Sequence, residues 1–90
     1  MLGVDSNIKS ESFNLAANGS KTITCNSSAI ILTNEINARG ATYMYLKNNS
    51  IIQNVSNYGT YNCSITGNSN SITLKNNDSA TYIMKVTIIG

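Results

Sequence analysis

The chain has 90 residues, 41% of them apolar and 11% charged, with a net charge of +2, two Cys and no His, Pro or Trp. That length suits one domain and not two, and a domain so small keeps much of its surface in water, so its core supplies a thin margin of stability. The basic residues Lys9, Lys21, Arg39, Lys47, Lys75 and Lys85 form no cluster, which argues against nucleic-acid binding, and no apolar run is long enough to insert in a membrane as a spanning helix.

The opening, MLGVDSNIKSES, lacks the basic and apolar regions of a signal peptide; LGVDSN reads as the end of a linker in a longer chain, with Met1 added for expression. From there the sequence is a series of short runs rich in Ile, Thr, Tyr and Val, divided by Asn, Gly and Ser. Strands are predicted over residues 8–15, 20–26, 29–34, 41–47, 50–55, 60–66, 71–75 and 80–89. Asn18-Gly19 is the strongest hairpin signal, because both residues tolerate positive φ. Arg39-Gly40, Tyr58-Gly59 and Gly67-Asn68 offer further positions for unusual φ, and Asn76-Asn77-Asp78 can close a turn through side-chain hydrogen bonds. The segment 27–41 is too β-branched, and too interrupted by Asn and Gly, for more than a single helical turn near Glu35. Short strands at this spacing predict one all-β domain over 1–90, a small antiparallel β-sandwich of jelly-roll or immunoglobulin-like type with about 7–8 strands.

The charged share is under half the usual value of about 25%. Asn, Ser and Thr must supply the polar surface, and a neutral surface of this kind meets another with little charge to desolvate. Without His the commonest general base is missing. The acids Asp5, Glu11, Glu35 and Asp78 lie far apart in sequence, and a sandwich of this size has little room for the desolvated cleft a glycosidase pair needs. The expectation is therefore a protein that is not an enzyme and uses no cofactor and no metal. Cys25 and Cys63 are an even pair that allows one disulfide, but nothing marks secretion and the reading is two small buried thiols that stay reduced and add to the core. Sequons at Asn18, Asn26, Asn48, Asn54, Asn62 and Asn77 follow from the wealth of Asn, Ser and Thr and are not read as glycosylation sites.

Two features speak of partners. In NVSNYGTYN, Tyr58 and Tyr61 flank Gly59, with Asn57 and Asn62 beside them; aromatic faces with amides suit a saccharide, whereas the plainer reading puts Tyr61 in the core under Tyr58. In GATYMYLK, Tyr43 and Tyr45 share one side of a strand and Thr42, Met44 and Leu46 the other, so neither side is polar. The strand at 80–89 behaves alike, with Tyr82, Met84, Val86 and Ile88 on one side and Ile83, Lys85, Thr87 and Ile89 on the other. One sandwich core cannot receive both sides, so the spare set predicts a homo-oligomer, with Tyr43, Tyr45, Ile83 and Ile89 at the interface and Met44 and Leu46 in the core, the reverse assignment of this strand being the alternative.

The opening GVDSNIKSESFNLAANGSKTIT, the middle NARGATYMYL and the close TYIMKVTIIG resemble the C-terminal domain of a bacteriophage tail fibre or baseplate receptor-binding protein. The Asn, Ile and Lys usage suits phages of low-GC Gram-positive bacteria. The resemblance covers most of the chain in style and contains no diagnostic motif. It implies a compact β-sandwich at the end of a longer chain, located in the virion, assembled as a trimer, and attaching to a saccharide of the host surface. The competing expectations are a structural module that trimerises or caps a fibre, and an immunoglobulin-like adhesion domain of a bacterial surface or secreted protein.

Overall fold

The structure, a computed structural model, describes residues 7–90. The expected linker, residues 2–7, lies outside this range apart from Asn7. Eight strands follow one another: β1 (Ile8–Leu15), β2 (Ser20–Thr24), β3 (Ser28–Glu35), β4 (Ala41–Asn48), β5 (Ile51–Tyr58), β6 (Cys63–Asn68), β7 (Ser71–Asn76) and β8 (Tyr82–Ile89). Among the described residues there is no helix. The strands form a five-stranded sheet, β1-β8-β3-β4-β5, and a three-stranded sheet, β2-β7-β6, with every pairing antiparallel. The fold is the small all-β sandwich expected. Pairing β1 with β8 and β2 with β7 nests the chain ends as a jelly roll does, and the β3-β4-β5 meander departs from that winding.

One core lies between the sheets, built from Leu15, Ile23, Ala29, Ile31, Tyr45, Ile72, Leu74, Tyr82, Met84, Val86 and Ile88. The alternation along β8, from Tyr82 to Ile88, puts every second side chain into it. Polar groups close the two ends of the sandwich. At one end the buried Lys47 donates to Asn26 O at 3.1 Å and Ser27 O at 3.3 Å, so its stem covers the core while its ammonium satisfies a loop. At the other end the Glu35 carboxylate accepts the backbone N–H groups of Asn37, Arg39, Gly40 and Ile83. That carboxylate organises residues 36–40, where the sequence allowed a helical turn.

Several local expectations change. Asn18 does take positive φ, 63°, and Gly19 N–H donates to Ala16 O at 2.8 Å. Yet the turn joins no hairpin: β1 and β2 belong to different sheets, and the turn carries the chain across the sandwich. Tight two-residue connections instead link β4 to β5, where Asn48 opposes Ile51 and Asn49 has φ 54°, and β6 to β7, where Asn68 opposes Ser71. Gly40 and Gly59 have positive φ, whereas Gly67 and Asn68 do not. Asn76 Oδ1 accepts Asp78 N–H at 2.8 Å, closing the 76–78 turn. Pairing with β4 extends β5 to Tyr58, past the expected end, with a bulge between the Met44–Ser56 and Tyr45–Asn54 pairs. Strand β6 consequently starts at Cys63 and leaves Tyr61 and Asn62 in the crossing between sheets.

Candidate functional site on the outer sheet face

The register decides which side chains leave the sandwich. Across the outer face of the five-stranded sheet, Ile8 opposes Ile89, Ile89 opposes Ile30, Ile30 opposes Leu46, and Leu46 opposes Gln53. One row of four aliphatic side chains thus crosses β1, β8, β3 and β4. The next row adds Leu32 and Met44, directly opposed, between Thr87 and Ser56. Ile51 stands beside Asn48, and Ile83 beside Asn14, on the same face. Ile8 is 53% exposed, Leu46 47% and Ile51 66%. The one charged residue on this face, among the described residues, is Lys85.

This corrects the assignment of β4. Tyr43 and Tyr45 face inward and Met44 and Leu46 face outward, because Tyr45 opposes the fully buried Ile31 while Leu46 opposes the exposed Ile30. Tyr45 is 5% exposed. Its hydroxyl shares a 2.6 Å hydrogen bond with the Tyr61 hydroxyl, which lies 2.8 Å from Thr33 Oγ1. Tyr43 stacks on Tyr61 with centroids 4.0 Å apart and on Tyr45 at 5.9 Å. The tyrosines are therefore a stacked inner column with satisfied hydroxyls. Ile83 and Ile89 lie on the outer face, on the same side as Met44 and Leu46.

The four residues read as a saccharide site do not converge. Tyr61 belongs to the inner column, and Asn62 is spent on structure: its N–H donates to the Tyr82 hydroxyl at 2.7 Å and its side chain to Asn77 O at 3.1 Å. Tyr58 is 80% exposed and does not cap Tyr61. It lines, with Asn57, a shallow groove of about 370 Å3 on the outer face, together with Leu32, Thr42, Met44 and Ser56.

Two carboxylates, Glu35 and Asp78, meet around Arg39. Asp78 Oδ2 receives Arg39 Nε at 2.8 Å and the Tyr82 hydroxyl at 2.9 Å. The Arg39 hydrogen bond, then that of Tyr82, draws the Asp78 pKa down to about 2. Burial pushes Glu35 up, but the backbone N–H groups around it outweigh burial and leave its pKa lowered. Both are held as carboxylates at neutral pH, so neither is poised as the proton donor that acid catalysis needs. Among the described residues no group of three His, Cys, Asp or Glu gathers as a metal site.

The cysteines are free. Cys25 N–H bonds Asn70 O just beyond one end of β7, and Cys63 opposes Asn76 at the other. Six residues of strand separate them by roughly 20 Å, far beyond disulfide reach. Burial pushes the Cys63 thiol up to about 11.

No protein-family model matches this chain, and neither the curated proteins nor the solved structures include a significant match to it. The residues themselves must carry the functional reading.

Proposed function

We propose that this chain is a non-enzymatic assembly and attachment module that associates with copies of itself through the outer face of its five-stranded sheet. The observation that supports this reading is the aliphatic row Ile8–Ile89–Ile30–Leu46, flanked by Leu32 and Met44. Contiguous exposed aliphatics on a small domain mark a surface meant to be covered. Five strands of up to eight residues present a flat area of roughly 500 Å2, taking strands about 4.8 Å apart and residues about 3.3 Å apart. Two such faces bury up to about 1,000 Å2 in total, the scale at which specific association begins. In a trimer the three faces turn toward the common axis and the aliphatic rows meet there.

The proposal places the chain in a virion as the terminal domain of a tail-fibre-like protein that attaches to host saccharides. A low surface charge and an assembly face on one sheet suit that role. Sedimentation velocity at micromolar concentration tests the assembly: a trimer is expected, and a monomer removes the basis of the assembly reading. Binding of the isolated domain to host cells or glycans separates attachment from a purely structural cap. Tandem copies with a secretion signal in the parent gene would favour the adhesion-domain alternative.

A further inference from the structure

We propose that the groove beside Tyr58 is the saccharide subsite and takes a neutral sugar residue. This deepens the attachment reading above and rests on it; the groove shares Leu32 and Met44 with the flank of the assembly row, but its ring and hydroxyls, from Tyr58, Thr42 and Ser56, lie outside that row. The groove is built by the ladder. Tyr58 directly opposes Thr42, Ser56 opposes Met44, and Met44 opposes Leu32. Opposed side chains in such a ladder stand about 4.5–5.5 Å apart. An aromatic ring, two hydroxyls and an aliphatic floor therefore share one small area.

Each part matches a feature of a sugar. Tyr58, at 80% exposure, keeps its ring open to solvent, and an open aromatic face packs against the C–H face of a pyranose. Among the described residues the hydroxyls of Thr42 and Ser56 have no hydrogen-bond partner, so both are available to sugar hydroxyls as donor or acceptor. The Asn57 amide, which also lines the groove, is held by its donation to Gly59 O at 2.8 Å. Leu32 and Met44 supply an apolar floor. Among the described residues no charged side chain lines the groove, so a phosphate or carboxylate would find no counter-charge in its lining, whereas a neutral polyol would lose none. At about 370 Å3 the groove lies at the small end of ligand sites, about 300–1,000 Å3, which suits a short saccharide or the end of a glycan. The groove floor, Leu32 and Met44, adjoins the row Ile8–Ile89–Ile30–Leu46, and Tyr58, Thr42 and Ser56 stand on its far side, so packing centred on that row leaves these three at the rim.

The test is a titration of the isotope-labelled protein, followed by amide resonances, with the methyl glycosides of glucose and galactose and with N-acetylglucosamine and its short oligomers. Glucuronic acid and inorganic phosphate serve as charged comparisons. At least one neutral sugar should shift the amides of residues 42–44 and 56–58, and Tyr58→Ala should weaken its binding about tenfold or more with the spectrum otherwise preserved. Ser56→Ala should weaken it by a smaller factor. Shifts from none of the neutral sugars, shifts that survive Tyr58→Ala unchanged, or stronger binding of a charged ligand would each overturn the proposal. Tyr58→Ala should leave the sedimentation coefficient unaltered. A monomeric protein that still binds sugar through Tyr58 would refute the assembly face alone.

Discussion

The outer face of the three-stranded sheet carries Ser20, Thr22, Thr24, Ser64, Thr66, Asn68, Ser71, Thr73 and Lys75; the register of β2, β7 and β6 places them together and away from the core. The outer face of the five-stranded sheet carries Ile8, Ile30, Leu32, Met44, Leu46, Ile51, Ile83 and Ile89. Both faces belong to one small domain with one composition. The first is a solvated face with hydroxyl pairs, such as Thr22 and Thr73 at 3.0 Å, bridging its strands. The aliphatics of the second are therefore not a by-product of an Ile-rich sequence. The same chain builds a hydroxyl surface on one sheet and an aliphatic one on the other, and that contrast supports the proposed assembly through the larger sheet.

The edges differ in the same direction. On β1 the inward-pointing Lys9 donates to Thr24 O at 2.5 Å, and Glu11 pairs with Lys21 at 3.1 Å, so charge guards that flank. The opposite flank, β5 and β6, contains no charged residue. Without Pro in the chain, the β5 bulge is the main device that interrupts this edge.

The comparison can be broken most severely on β4, whose neighbouring residues enter opposite environments. Tyr45→Lys puts an unpaired charge into the core and removes the Tyr61 hydrogen bond, so it should destabilise folding by about 3–5 kcal/mol; denaturant unfolding measures it, and a stable folded variant would reverse the inner and outer assignment. Leu46→Lys, one residue on, should abolish self-association while changing monomer stability by about 1 kcal/mol or less. Thr73→Lys on the other sheet is its control and should leave assembly intact. Equal effects of Leu46→Lys and Thr73→Lys on sedimentation would erase the contrast between the faces.

A smaller effect concerns the end closure that holds the sheets in place. Asp78 and Glu35 both have lowered pKa values in the folded state. Their stabilisation is therefore complete above the unfolded-state pKa near about 4. It is lost as pH falls from there through the folded values, to about 2 for Asp78. Melting temperature should be flat from neutral pH to about 5 and fall below about 4. Arg39→Ala should shallow that fall, and an acid profile identical to wild type would show the Asp78 pair to be idle. The smallest effect is redox. Two thiols should titrate in the unfolded, unreduced protein, with Cys63 the slower in the native state because burial keeps it protonated; reductant should not move the melting temperature. A thermal shift on reduction would imply a cross-link, and one between copies, given the distance within the chain.

Strand number was legible because turn chemistry is local. Asn, Gly and Ser clusters announce where the chain leaves a sheet, and the end of β7 turned as its Asn76-Asn77-Asp78 run implied. Pairing was not legible. Asn18-Gly19 has the composition of a hairpin turn, but β1 finds β8 and β2 finds β7, partners from the far end of the chain. The candidate site suffered the same way. Alternation showed that β4 has two apolar sides, yet both sides satisfied it. Lys47 and Glu35 even mislead, since charged residues at inward positions suggest the wrong side, until their loop carbonyls and N–H groups are in view. Likewise Tyr58 and Tyr61 are three residues apart and part company because β5 continues and the crossing to β6 turns Tyr61 inward.

The sequence by itself determined an all-β chain, the number of its strands, a neutral surface and a surplus of apolar strand faces, because composition, alternation and turn residues act within a few positions. Only the tertiary structure decided which face is the surplus. A strand's sides are exchanged by a one-residue shift of register, and register is set by contacts between residues such as Ile31 and Tyr45, or Ile8 and Ile89, that the chain brings together only on folding.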